Sequence, residues 1–224
     1  CVTYQGPDSA HAGKEVCFNA NGPSDRIAIV DVSNKAVPVT LASLTYPGSG
    51  YPHQGDLSSD HRYLLVNDEL DESQFGHNAK TLVWDVSDLD LPVLVGAHTH
   101  ALGVIDHNLY VHDNHVYESN YESGFRVLRI DNLSQALLTE IAYFDTYPAS
   151  NAPEFNDDRY GRTMTSLARS GIDSSSAGMR RASTTTSGCA RARASSASID
   201  GSAAGVPAIS RRRRRASGGA ATMD

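Results

Sequence analysis

Two segments, RIAIVDVSNKAVPVTL (26–41) and KTLVWDVSDLDLPVLV (80–95), repeat one pattern at a fixed interval along the chain. In each, an apolar run ends in Asp-Val-Ser, a turn follows, and Pro-Val restarts the apolar pattern. Asp85 follows Asp31 by the same interval as Pro92 follows Pro38. β-Branched and aliphatic residues fit a pleated surface, Asp, Ser and Asn fit a turn, and proline fits the first residue of an outer strand, where no ladder N–H is lost. The pattern is that of a β-hairpin. A third copy, RVLRIDNLSQALLTEI (126–141), is degenerate, with Arg129 in the place of the aspartate and Leu137 near that of the proline.

A second hairpin has the same period. His107 follows His53, and Tyr117 follows Tyr63, by the interval that separates the two aspartates. HQGDLSSDHRYLLV and HNLYVHDNHVYES each read as a strand, a polar turn (58–62 and 113–115) and a return strand carrying the tyrosine. One unit is then four strands in about 45–55 residues, the size of a β-propeller blade. Helical periodicity is absent from residues 1–156, and turn residues recur at strand spacing. A β-sandwich is the competing fold, and the four-strand repeat favours blades. The expectation is an all-β chain: a partial β-propeller of four-stranded antiparallel blades at about 1–47, 48–103 and 104–147, with the start of a further blade to 156. Closed propellers need about four to eight blades, so exposed sheet edges and aggregation are expected of these three.

The charge changes at the end of that region. Residues 1–156 hold 7 Lys and Arg against 21 Asp and Glu, whereas residues 157–224 hold 12 Arg, no Lys and 5 Asp. Tyr160 is the one aromatic residue after position 156. The Arg/Ala/Ser/Gly-rich segment has no periodic apolar spacing with which to offset the entropy of ordering, so it is expected to be disordered. The arginine run 211–215 has the charge to bind phosphates, but it lacks interleaved aromatic residues and a recognition fold, so nucleic acid is not an expected partner. No run is apolar enough for a signal peptide or a membrane span. The chain starts at Cys1 without Met and reads as a processed or truncated piece. Cys1 is either the lipid-modified first residue of a lipoprotein or, more simply, the partner of Cys17 in a disulfide. Such a bridge would contribute about 3 kcal/mol and imply an oxidising compartment. Cys189 has no evident partner.

The motifs CVTYQGPD, KEVCF, RIAIVDVSNKAVPV, YPGSGYPHQG, NDELDE, VWDVSDLDLPVLVG, IDHNLYV and AYFDTYPAS together resemble the choice-of-anchor B proteins, secreted proteins built from LVIVD-type propeller repeats. The resemblance runs from Cys1 to about Asn156 and implies an extracellular or cell-surface location. Two departures stand out. Asp56 follows His-Gln-Gly where the family usually has an aromatic residue. Past FDTYPAS, where the family continues into another blade, this chain has FNDDRYGRTMTSLARS. Low complexity of this kind is what out-of-frame translation of GC-rich DNA gives, so residues 157–224 read as frameshifted or non-native, with a basic tail as the alternative.

Propellers commonly bind ligands over the central channel, and His53 and His107 each follow a loop at the start of a unit. They are candidate binding residues with Asp106, beside His107, and with Asn120, at the end of a return strand. Imidazole with carboxylate suits a divalent transition metal, and oxygen donors alone suit Ca2+. Asp68, Glu69, Asp71 and Glu72, in the NDELDE run, are the candidate Ca2+ ligands, although such a run more often forms a solvated loop. The blander reading of His53 and His107 is a structural one, each bonding its own blade. His61, His112 and His115 lie in or beside turns and are expected to be solvated. His98 and His100 are expected on an exposed strand or the following loop. Asp31 and Asp85 read as turn formers. No GxSxG, HExxH, GxGxxG or phosphate loop is present, so neither nucleophilic catalysis nor a nucleotide cofactor is expected. Two functions remain. The first is a secreted or surface binding or scaffold module with a protein or glycan ligand. The second is a metal-dependent extracellular hydrolase or lyase using His53, Asp106 and His107. They are separated by whether the two imidazoles converge.

Overall fold

The computed structural model describes residues 1–150, 152 and 153. The expectations for the segment 157–224, for Cys189 and for the end of the further blade lie outside the described residues. The described chain is all-β apart from one short helix and three 3-10 turns. Its strands form three four-stranded antiparallel sheets, each a simple meander. The first holds β1 (Val2–Thr3), β2 (Glu15–Asn21), β3 (Arg26–Asp31) and β4 (Val39–Leu44). The second holds β5 (Pro52–Leu57), β6 (Tyr63–Asp68), β7 (Lys80–Asp85) and β8 (Val93–Thr99). The third holds β9 (Asn108–His112), β10 (His115–Asn120), β11 (Gly124–Asn132) and β12 (Leu137–Phe144). Cys1 and Cys17 are joined by a disulfide. Among the described residues no helix is long and apolar enough to cross a membrane.

The repeat extends to ladder irregularities. The β3–β4 ladder shifts register between Ile29 and Val30, and the β7–β8 ladder shifts at the equivalent place, between Val83 and Trp84. The β11–β12 ladder shifts likewise between Val127 and Leu128. Past each bulge, Asp31 faces Val39, Asp85 faces Val93 and Arg129 faces Thr139, so Arg129 does occupy the aspartate's place in the ladder. Asp31 and Asp85 act as turn formers, each accepting a hydrogen bond at 2.9 Å from the amide two residues on, Ser33 or Ser87. In the third copy the strand runs on to Asn132 through a second register shift, and Asn132 takes over the turn by accepting from the Ser134 amide at 3.0 Å.

The sheets stack face to face around two cores. Ile27, Ile29 and Val16 of the first sheet meet Leu64, Val66, Leu82 and Trp84 of the second. The opposite face of the second sheet places Tyr63, Leu65 and Val83 against Leu109, Val116, Leu128 and Leu138 of the third. Every residue of β6 is therefore buried. Because successive strand residues point to opposite faces, a strand packed on both sides reads as a continuous apolar run, and this accounts for YLLV.

Polar side chains stitch the sheets together. The Gln54 amide donates to the Leu109 carbonyl at 2.8 Å and accepts from the Leu109 amide at 3.2 Å. Asp56 accepts from the Val111 amide at 2.9 Å. Asp56 thus satisfies a backbone donor on the edge strand β9. Burial raises its pKa against these bonds.

The NDELDE run differs from the expected solvated loop. Its last two residues begin α1 (Asp71–Phe75), and Asp68, Asp71 and Glu72 are all buried. Asp68 is anchored by the Tyr46 hydroxyl and by the Gly50 and Tyr51 amides, which fix the loop preceding β5. Gly50 packs so closely that a Cβ there would lie 2.8 Å from the Asp71 nitrogen.

Candidate functional site

His53 enters the site from a bulge. Pro52 and Gln54 pair with the adjacent residues Asp68 and Asn67, which leaves His53 as the extra residue of β5. Bulges re-aim side chains in this way beside functional sites. His107 directly precedes β9, the first strand of the next sheet. The two imidazoles stack with centroids 4.4 Å apart and planes 20° from parallel. Glu69, the first residue after β6, closes the group. Its Oε2 lies 3.2 Å from His53 Nδ1, and its Oε1 lies 3.6 Å from His107 Nε2. The ligating atoms of the three residues all fall within 4.8 Å of one another.

These separations suit a transition metal. Bonds of about 2.0–2.2 Å in a tetrahedral site put neighbouring N and O donors roughly 3.3 Å apart. The surroundings orient the ligands as an outer shell does. The Tyr121 hydroxyl donates to Glu69 Oε1, and its ring meets His107 edge-on at 5.1 Å. Tyr51 also stacks on His53, at 6.1 Å. Asn108 Nδ2 lies 2.8 Å from His107 Nδ1. An Asn amide presents either a donor or an acceptor, so Asn108 can serve the imidazole with or without a metal on Nε2. Burial pulls the His107 pKa down, helped by neighbouring His53 and opposed by Glu69. A lowered pKa favours the neutral imidazole that coordination requires. The side chains keep partial access to solvent, 30% for His53 and 17% for His107.

The other candidates lie elsewhere. Asp106 is buried, with Oδ2 accepting from Asn67 Nδ2 at 3.1 Å, and is outside the histidine group. Asp71 and Glu72 lie on α1. Burial and the adjacent Asp71 carboxylate push Glu72 up to about 9, while burial and Asp68 push Asp71 up to about 6. Asn120 belongs to a separate buried network in which its amide donates to Glu118 Oε2 at 3.1 Å. Glu118 also accepts from the Thr81 hydroxyl at 2.6 Å and lies 3.2 Å from His100 Nε2. His100, expected on an exposed stretch, is thus buried. Asn120 and His100 also line a small pocket with Arg126 and Glu140. His61, His112 and His115 are half-buried rather than fully solvated.

Asp8, His11 and Asp90 form a second set of converging donors. There the Asp8 oxygens accept from the Ala10 and Leu89 amides, and Lys14 Nζ lies 3.2 Å from His11 Nδ1. These bonds fasten the N-terminal segment to the turn after β7, and Lys14 Nζ also pairs with Asp31 Oδ2 at 3.3 Å.

The chain matches no protein-family model and no curated protein. The crystal structure of a protein from Lactobacillus plantarum is similar over 63% of this chain and 42% of its own, with a TM-score of 0.50 and 16% identity. A functionally unknown protein from Desulfotomaculum acetoxidans has a TM-score of 0.44 at 13% identity, over 63% of this chain and 45% of its own. The chain spans less than half the length of each. The first likeness supports the all-β, stacked-sheet architecture and carries no activity with it.

Proposed function

We propose that the chain is part of a secreted or cell-surface β-propeller repeat protein, its three sheets serving as blades, and that it acts as a metal-assisted binding module. A divalent transition metal such as Zn2+ would be held by His53, Glu69 and His107. The observation that carries this reading is the convergence of two histidines from successive repeat units on one carboxylate, within 4.8 Å. Face-to-face meanders with matching bulges support the propeller, and the Cys1–Cys17 bridge supports an oxidising compartment. Three protein ligands leave a fourth position open, where a donor group of a protein or glycan would complete the metal.

The same open position favours the metal-dependent hydrolase as the second reading, because metal-bound water is a nucleophile near neutral pH. The test is Zn2+ titration of the full chain against a chromogenic chelator, beside the double variant His53→Ala, His107→Ala. The expected result is one tight site per chain, weakened at least about 100-fold in the variant, as loss of two of three ligands requires. Zn2+ binding that is absent from the wild type, or unchanged in the variant, overturns the reading.

A further inference from the structure

The 3-10 turn Tyr121–Ser123 links the histidine site to the small pocket. Tyr121 reaches Glu69 and His107, while Asn120, just before the turn, and Ser123, its last residue, line the pocket with His100, Arg126 and Glu140. The polar groups of the pocket are held in place but not used up. Arg126 is buried, its Nη1 donates to both Glu140 oxygens at 3.1 and 3.3 Å, and its guanidinium lies 4.9 Å from the centroid of the Tyr143 ring. No hydrogen bond of its Nε or Nη2 falls among the described residues. Asn120 is 1% exposed; its Nδ2 donates to Glu118, and its Oδ1 has no partner. A buried acceptor left open is costly, and this one belongs to a pocket that also holds open donors. The Ser123 hydroxyl donates to the Asn120 carbonyl at 3.1 Å and fixes the turn. Ala101 and Glu140 are exposed, so the pocket opens to solvent.

We infer that this pocket takes a hydroxyl group of a saccharide, which narrows the ligand of the proposed binding module to a glycan and rests on that reading for its role. A hydroxyl accepts and donates through one atom, so it can take an N–H from Arg126 and give its proton to Asn120 Oδ1. A carboxylate has no proton for Asn120. It would also meet Glu140, bonded to Arg126, and Glu118, which lies opposite Arg126 in the β10–β11 ladder. An ammonium group is repelled by Arg126 itself. A carboxamide offers both roles but spreads them over two arms, which suits a wider cleft. Tyr143, opposite Arg126 in the β11–β12 ladder and 56% exposed, adds an aromatic ring beside the pocket. The apolar body of such a ring is a platform for the C–H face of a pyranose whose hydroxyls reach polar groups. The pocket itself needs no metal at His53, Glu69 and His107.

The test is an NMR titration of the metal-free full chain with the methyl glycosides of glucose, galactose and mannose, and separately with acetamide and with sodium acetate. The signals read are the Asn120 side-chain amide and the Arg126 Nε–H. At least one glycoside should shift both signals saturably with a millimolar Kd, in the wild type and in the His53→Ala, His107→Ala variant alike. Arg126→Lys keeps a charge beside Glu140 and loses the guanidinium, and Asn120→Ala loses the open acceptor. Each should weaken the glycoside at least about tenfold, the loss expected of one hydrogen bond to a charged or buried group. The wild-type spectra carry the test should either variant fail to fold. Signals that do not move at tens of millimolar glycoside, or that move with acetate or acetamide and with no glycoside, overturn the inference. Binding unchanged in both Arg126→Lys and Asn120→Ala overturns it too. Absence of Zn2+ binding with the glycoside response intact would overturn only the histidine reading.

Discussion

His53 on β5 and His107 just before β9, one repeat interval apart in the chain, stack their imidazoles 4.4 Å apart beside the carboxylate of Glu69. The repeat therefore brings equivalent positions of two units to one place, and the non-repeated Glu69 gives that place its chemistry. A hairpin built twice would use its histidine structurally twice. Here the two side chains share a partner instead.

The Tyr121 hydroxyl orients Glu69 and does not touch the proposed metal. Tyr121→Phe removes the bond to Oε1 and keeps the ring against His107. We expect Zn2+ affinity to fall about tenfold, the lower end of the range for outer-shell partners, with all three ligands still engaged. Chelator competition measures it, and an unchanged affinity would remove Tyr121 from the account.

Gln54 holds both backbone groups of Leu109. Gln54→Leu leaves them unpaired between the second and third sheets, which should cost about 1–3 kcal/mol. Urea unfolding reads this directly. A loss below about 0.5 kcal/mol, the lower end for a single net hydrogen bond, would mean that water replaces the side chain at no cost.

Asp31 is held below the ordinary carboxylate range by the Ser33 amide and hydroxyl, with Lys14 assisting. A folded-state pKa below the unfolded one contributes stability that is present above the unfolded value, 3.8, and lost as pH falls through the folded one. Between about pH 5 and 2 the wild type should lose stability more steeply than Asp31→Asn, which keeps a turn acceptor without the titration. Parallel acid-unfolding curves would contradict this.

The hairpins were legible in the sequence because their signals are local: Asp-Val-Ser turns, strand alternation and a fixed period. The convergence of His53 with His107 was legible as a question, because equal spacing places both at the start of a unit without saying whether their side chains meet. Glu69 could be named only as one acid in a run. Its separation from Asp68, which the Tyr46, Gly50 and Tyr51 donors occupy, and from Asp71 and Glu72 on α1, depends on a short helix without a periodic signature. The buried network of Thr81, His100 and Glu118 joins two sheets through residues that no repeat or motif connects. Such contacts are set by how sheets stack, and stacking leaves little trace in the order of residues along one strand.

The most direct test of the central claim is Zn2+ K-edge X-ray absorption on the full chain loaded with one equivalent of Zn2+. Two imidazole nitrogens are expected at about 2.0–2.1 Å, with the Glu69 carboxylate and one exchangeable light-atom ligand at about 2.0–2.2 Å. The imidazole scattering should be lost in the His53→Ala, His107→Ala variant. A zinc shell without imidazole, or one unchanged in that variant, would contradict it.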